Sequence, residues 1–132
     1  MSAEDVERGR QAYDAINRRD LEAFLEFMDP EAEINTRLVA MEGRSYHGLD
    51  GSREWWRDMF AVFPDFSVEI LEVRDHEGFL ILLVRARGHG VDSGAPFDMT
   101  LWQAVEIRRS RVTWWQMFGS EAEALEAVRK RE

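Results

Sequence analysis

Apolar residues recur at helical spacing in the first half of the chain and at strand spacing in the second half. Over residues 2–20, Val6, Tyr13 and Ile16 recur with small residues between them and predict a helix. Asp20 stands immediately before a second apolar stripe, so we expect it to cap a short helix. The residues of that stripe are Leu21, Phe24, Leu25 and Met28.

A short strand and a third helix complete the first half. Residues 32–37 predict the strand, and a polar, glycine-containing loop follows it. The third helix is predicted from about residue 52 and ends at Pro64-Asp65, which is a turn signal. Its apolar positions are Trp55, Trp56, Met59, Phe60 and Phe63.

The second half predicts a run of antiparallel strands and a final helix. Ser120 is followed by Glu123 at the spacing of a capping box, which predicts a helix start. Helices followed by successive strands are typical of the α+β class. The predicted strands are 66–73, 79–87, 97–107 and 112–118, with hairpin connections at 75–78 and 108–110.

Composition narrows the possible partners. A chain of 132 residues is the size of one domain, predicted over residues 1–132, and it contains no cysteine. The formal net charge of −9 argues against a nucleic-acid partner and against docking on an anionic membrane. No pair of histidines has metal-ligand spacing, and we expect neither a metal nor a cofactor. The acidic start and short apolar runs predict a cytoplasmic protein.

Five short phrases occur in order along the chain: Ala12-Tyr13-x-Ala15-x-Asn17-x-x-Asp20-Leu21, Met28-Asp29-Pro30-x-Ala32, Tyr46-x-Gly48, Phe63-Pro64-Asp65-Phe66 and the closing hairpin. Together they resemble the SnoaL-like branch of the nuclear transport factor 2-like (cystatin-like α+β) superfamily. The resemblance covers residues 6–127 and implies N-terminal helices packed on a curved, mixed, mainly antiparallel sheet. Helices and sheet would then enclose a cone-shaped pocket.

Members of the superfamily carry out different reactions, and their catalytic positions are substituted here. The resemblance to ketosteroid isomerases places a general base near Thr36, a tyrosine at Ala12 and a second acid at Gln103 or Trp102. Threonine is no base near neutral pH, and alanine donates no hydrogen bond. The resemblance to polyketide cyclases places an aspartate near Met117 and a histidine near Gln103, and neither residue present is ionisable.

Three residues remain as catalytic candidates: Asp98, His47 and His89. Asp98 with Arg85 or Arg87 has the residue types of the Asp-Arg-Asp relay of related epoxide hydrolases, although a solvated strand face also explains them. His47 stands on the loop before the third helix, near the mouth that the resemblance implies. His89 lies in a glycine-flanked loop, where Asp92 or Asp98 could pair with it.

The ligand-binding prediction centres on two neutral amides. Alternation along 97–107 places Gln103 on the more apolar face, and we expect Gln116 to stand beside it. Such amides either orient a ligand carbonyl or hydroxyl or satisfy buried backbone groups. The other predicted lining residues are Tyr13, Phe24, Thr36, Trp55, Met59, Trp114 and Phe118.

Two functions are therefore predicted from the sequence. One is a small-molecule-binding protein with a pocket for a hydrophobic, oxygenated ligand, either non-catalytic or with unidentified chemistry. The alternative is a polyketide cyclase/isomerase-type enzyme that performs acid–base chemistry on a small apolar carbonyl compound. Residues 79–84 are apolar on both faces of their strand, so we expect the outer sheet face to be covered, most simply in a homodimer.

Overall fold

The computed structural model describes residues 2–35 and 45–132, and four helices and six strands lie in this part of the chain. The α+β class predicted from the sequence is confirmed. The elements in chain order are α1 (Ser2–Arg18), α2 (Leu21–Glu26), β1 (Met28–Asn35), β2 (Tyr46–His47), α3 (Gly48–Val62), β3 (Ser67–His76), β4 (Phe79–His89), β5 (Pro96–Arg108), β6 (Arg111–Phe118) and α4 (Glu121–Arg131).

Side-chain caps fix the starts of two helices where the sequence predicts them. The Asp20 carboxylate accepts a hydrogen bond from the backbone N–H of Ala23 at 3.1 Å, which begins α2. The Ser120 hydroxyl accepts one from Glu123 N–H at 3.2 Å and begins α4. Helix α3 begins at Gly48, earlier than predicted, because glycine adopts the left-handed φ of 71° that this entry requires.

The six strands form one sheet in the order β2-β1-β6-β5-β4-β3. Neighbouring strands are antiparallel except for β1 and β6, which run parallel. Strand β5 is longer than β6, and their pairing ends at Trp102 opposite Phe118. In the described part of the chain, residues 96–101 therefore pair with β4 alone, which leaves space beside them.

The sheet buries its inner face and part of its outer face. On the inner face, Leu80, Leu82 and Val84 of β4 join the main core beneath α1 and α3. On the outer face, Phe79 and Ile81 pack in a second cluster with residues of α4. The chain's own last helix thus covers part of the face that is predicted to be covered. Homodimer formation through the remainder of the face stays a prediction.

Met28 and His89 also differ from the sequence-based prediction. Met28 begins β1 instead of continuing the apolar stripe of the second helix, because that helix ends at Glu26 and Phe27 caps it. His89 is the last residue of β4 rather than a loop residue, since its strand pairing continues to Pro96. Within the described ranges, no helix is both long and apolar enough to cross a membrane.

A buried carboxylate fastens α4 to the sheet. Glu106 is only 4% exposed, yet its side chain accepts hydrogen bonds from Thr113 at 2.8 Å, Arg108 at 3.0 Å and Arg131 at 3.1 Å. The Arg131 guanidinium also lies 4.4 Å from the centre of the Trp114 ring. Burial acts to raise the pKa of Glu106, but these hydrogen bonds and the two arginine charges outweigh burial and lower that pKa.

Replacing Glu106 with glutamine will lower the free energy of unfolding at neutral pH by about 1–3 kcal/mol, because hydrogen bonds to a charged acceptor are lost. The pKa of Glu106 is lowered in the folded state. Its ionised form therefore stabilises the fold above the unfolded-state pKa of about 4.3, and that stabilisation is lost as the pH falls through the lower folded-state pKa. Urea unfolding across the acidic range measures this.

The matched control is Glu126→Gln on the exposed side of the same helix, where the carboxylate lies 3.8 Å from Arg129. An exposed pair of this kind contributes about 0.5 kcal/mol or less. A stability difference between Glu106→Gln and the unsubstituted protein that is the same at acid and neutral pH would contradict the role assigned to Glu106.

Candidate functional site

Three polar side chains meet on the inner face of the sheet. Tyr13 comes from α1, Gln103 from β5 and Trp115 from β6. The Tyr13 hydroxyl and the Trp115 Nε1–H both donate to Gln103 Oε1, the latter at 2.8 Å. The two rings also meet edge to face, with centroids 5.7 Å apart. Gln103 therefore points inward as predicted, and its Oε1 atom links α1 and β6 to β5 through two hydrogen bonds.

The electrostatics of this cluster favour neutral groups. Tyr13 and Gln103 are 5% and 3% exposed. Burial raises the pKa of Tyr13 well above its ordinary value, so its hydroxyl keeps its proton across the physiological range. The cluster consequently offers hydrogen bonds rather than charges.

Aromatic side chains fill most of the space between helices and sheet. Phe24, Trp55 and Met59 are almost fully buried, and the Trp55 ring lies 5.0 Å from that of Trp115. In place of the predicted cone-shaped pocket, the space next to Gln103 is an inner cavity of about 10 Å³. The described residues that line it are Ile16, Trp55, Phe66, Val68, Ala86, Gln103, Trp115 and Met117.

A much larger space lies beside the unpaired part of β5. This groove has a volume of about 1000 Å³ and is bounded by β5, the end of β6, Phe63 and α4. Phe63 and Phe97 stack in its wall with ring centroids 4.8 Å apart. Met117 lines both the groove and the inner cavity, so it separates the groove from Gln103. The described groove residues are Phe63, Phe97, Met99, Thr100, Leu101, Gln116, Met117, Phe118, Gly119, Ala122, Glu123, Glu126, Ala127 and Lys130.

The prediction that Gln116 stands beside Gln103 is wrong. Gln103 is opposite Met117 in the sheet, whereas Gln116 is opposite Ala104 on the outer face. The Gln116 carbonyl oxygen there accepts hydrogen bonds from Asn35 and from the Trp114 ring, each at 3.3 Å.

Trp114 and Phe118, the other predicted lining residues on β6, also lie outside the inner cavity. Trp114 is buried on the outer face in the cluster with α4, away from the inner cavity. Phe118 packs against the same cluster and lines the groove instead of the inner cavity. Thr36 lies outside the described residues. Of the predicted set, Trp55 and Gln103 line the inner cavity, and Tyr13 contacts Gln103 without lining that cavity.

The Asp98 carboxylate is engaged by an arginine on the exposed outer face. Its two oxygens accept hydrogen bonds from Arg85 Nε and Nη2 at 2.9 and 2.7 Å. That hydrogen bonding lowers the pKa of Asp98. This is a bidentate surface ion pair, and Asp98 is not among the described residues that line the groove or the inner cavity.

The histidine candidates also lie apart from Gln103. His89 Nδ1 lies 2.7 Å from Asp65, so the predicted pairing with Asp92 or Asp98 is replaced by one with a residue before β3. Hydrogen bonds from the His89 side chain and backbone lower the pKa of Asp65. His47 is exposed at the end of β2, with Nε2 3.2 Å from the Ser45 hydroxyl. Within residues 2–35 and 45–132, no cluster of three metal-ligating side chains is found.

Sequence reasoning missed the groove itself. Phe63, Phe97 and Met117 appear in the sequence as core or strand residues, and no single position among them marks a groove. Lys130, the only lysine in the chain, lines the groove from α4. The signal that could have found the groove is the unequal length of the two predicted strands, 97–107 against 112–118.

Comparisons with known proteins agree on the architecture. The sequence profile of the SnoaL-like domain matches residues 10–118. An NTF2-like protein of unknown function from Burkholderia pseudomallei K96243 is 17% identical, with a TM-score of 0.79 over 93% of this chain and 95% of its own. IdmH of Streptomyces antibioticus, a proposed polyketide cyclase, is 22% identical, with a TM-score of 0.75 over 94% and 97%.

TerC, solved with polyporic acid, is a third similar structure, 15% identical, with a TM-score of 0.77 over 96% of this chain and 98% of its own. A comparison with curated proteins found no match. Identities this low show the shared fold, and the chemistry has to be argued from the residues present here.

Proposed function

The chain belongs to the SnoaL-like domain family, and from that premise we propose that it binds a small, mostly apolar, oxygenated molecule in the groove beside β5. The observation that carries the proposal is the arrangement around Met117. On one side of Met117 lies a groove of ligand size with a largely apolar wall along β5, and on the other lies the buried amide of Gln103. An apolar wall with one polar group at depth is the usual composition of a small-molecule site.

The walls of the groove favour an apolar ligand. Phe63, Phe97, Met99, Leu101 and Met117 contribute aromatic, thioether and aliphatic surfaces. Removing apolar surface from water contributes roughly 25 cal/mol per Å², and unbranched methionine side chains adapt to ligands of different shape. Met99 is 44% exposed, which is high for a side chain of its size, and a bound ligand would cover it.

The alternative function, acid–base catalysis of the cyclase or isomerase type, has less support from the described residues. The inner cavity is lined there by no carboxylate, imidazole or amine. In the groove, Glu123 has a structural role, since its carboxylate accepts from Gly119 N–H at 3.1 Å at the start of α4. Glu126 pairs with Arg129 at 3.8 Å. We therefore favour binding by hydrogen bonds and apolar contact.

The test uses three tricyclic compounds of one shape: fluorene, fluorenol and fluorenone. At least one is expected to raise the melting temperature by several degrees, because a ligand at 100 times its Kd stabilises the folded state by about 2.7 kcal/mol. Calorimetry measures the affinity. Met99→Glu places a charge in the groove and is expected to abolish binding.

Leu71→Glu is the matched control, because Leu71 is also 44% exposed on a strand but lies on β3, outside the groove. It is expected to leave binding intact. Absence of binding by all three compounds, or equal loss of binding in both variants, would overturn the proposed site. Exchange of α-protons of indanone with D₂O, faster with the protein than in buffer alone, would instead support the catalytic alternative.

A further inference from the structure

Resting on the proposed function, we infer that the ligand group that reaches Gln103 is a hydrogen-bond acceptor without a proton of its own, which is the chemistry of a ketone, quinone or ester carbonyl. The inference comes from which atoms of the Gln103 amide are already engaged and which are not. The oxygenated ligand of the proposed function is then a carbonyl compound.

The hydrogen bonds of Trp115 fix the orientation of the Gln103 amide. An indole N–H can only donate, so the amide atom that lies 2.8 Å from Trp115 Nε1 is the oxygen. The Tyr13 hydroxyl donates to the same oxygen. Two donors occupy the two lone pairs of Oε1, and the amide has no further accepting capacity for a ligand.

The other end of the amide is available. Among the described residues, no acceptor receives a hydrogen bond from Gln103 Nε2. In the same part of the chain, no fully buried side-chain nitrogen or oxygen lacks a partner. Because Gln103 Nε2 has no partner there, it is not fully enclosed, and the inner cavity is a space that Gln103 lines.

The remaining side chains that line the cavity provide no acceptor for a ligand group that donates a hydrogen bond. Apart from Gln103 and Trp115, its described residues have apolar side chains or, in Trp55, a largely apolar ring. A ligand hydroxyl could accept from Nε2, but its own proton would be buried without an acceptor. A carboxylate would be buried without a cation. A carbonyl oxygen accepts from Nε2 and leaves nothing unpaired.

The size of the cavity agrees with a single oxygen atom. Its volume of about 10 Å³ is close to the space that one water molecule requires. A carbonyl oxygen fills such a space while the apolar frame of the ligand lies in the groove. Met117 lies between the groove and the inner cavity. For the carbonyl oxygen to enter the cavity, the flexible Met117 side chain changes its rotamer.

The experiment compares the same three compounds on the unsubstituted protein and on Gln103→Glu from about pH 7 to about pH 10, because burial raises the pKa of a carboxyl at this position while hydrogen bonds from Tyr13 and Trp115 lower it. On the unsubstituted protein, fluorenone is expected to bind at least about tenfold more tightly than fluorenol or fluorene, because one buried hydrogen bond is made and none is left open. In Gln103→Glu, the carboxylate still accepts from Tyr13 and Trp115 but has no N–H. The preference for fluorenone is expected to disappear in this variant at the pH where its carboxyl is ionised.

The control is Gln11→Glu, the same chemical change at an exposed position of α1, and it is expected to keep the preference. Equal affinities for the three compounds on the unsubstituted protein would overturn the carbonyl inference and leave the proposed site standing. Binding of none of them would overturn the proposed site. The ranking on the unsubstituted protein requires no variant to fold.

Discussion

Replacing Trp55 with alanine will lower the free energy of unfolding by about 3–5 kcal/mol, the usual cost of truncating a large buried aromatic side chain. Trp55 is 2% exposed, and its ring lies 5.0 Å from that of Trp115 and 5.6 Å from that of Phe24. The substitution removes these contacts and joins the vacated volume to the inner cavity that Trp55 lines. Urea unfolding measures the loss.

The neighbouring Trp56 supplies the control. It is only partly buried, although its ring also lies near Phe24, at 5.2 Å, and near Phe60, at 4.9 Å. Trp56→Ala is expected to cost less than half as much as Trp55→Ala. Indole is expected to restore part of the stability of Trp55→Ala alone, because an apolar cavity binds a ligand of matching shape. Equal costs, with no effect of indole, would show that Trp55 does not fill the interior as described.

Gln103→Leu is expected to lower the free energy of unfolding by about 2–6 kcal/mol. The leucine is similar in size but leaves two buried donors, the Tyr13 hydroxyl and the Trp115 N–H, without their acceptor. Each unpaired buried donor costs about 1–3 kcal/mol. Chemical denaturation of the variant beside the unsubstituted protein measures this loss.

A double-mutant comparison separates hydrogen bonding from packing at this position. Adding Tyr13→Phe to Gln103→Leu removes one of the unpaired donors, so the double variant is expected to be more stable than Gln103→Leu alone. Tyr13→Phe in the unsubstituted protein is expected to be mildly destabilising. If the two losses simply add, the Tyr13–Gln103 hydrogen bond does not have the importance assigned to it.

The sequence predicts that Gln103 points inward, but it does not show that Trp115 is the residue of β6 that contacts it. Alternation along β5 separates an apolar face from a polar face, and Gln103 lies on the apolar one. In β6 both faces carry aromatic residues, so alternation alone cannot select the inner face. The pairing shifts between Glu106 and Ile107, which places an extra residue, Thr113, in β6. Such a bulge reverses which residues point inward, so Trp115 and Met117 do, and Gln116 does not.

Pairings between distant residues account for the remaining differences. His89 contacts Asp65, which is 24 positions earlier in the chain, while the acids closer in sequence lie elsewhere. Asp98 is held by Arg85 across the β4–β5 ladder, a contact set by strand register. Elements and caps follow from local chemistry and were predictable. Side-chain partners depend on register and loop geometry, which local sequence does not determine.

In the proposed complex, a carbonyl compound in the groove contacts Gln103 Nε2. The most direct measurement is the side-chain amide signal of Gln103 in ¹⁵N-edited NMR, assigned by its loss in Gln103→Glu. Titration with fluorenone is expected to shift one proton of this amide downfield, together with signals of Met117 and Phe97, while fluorene shifts only the latter two. Saturable binding of fluorenone that leaves the Gln103 amide signal unchanged would contradict the account.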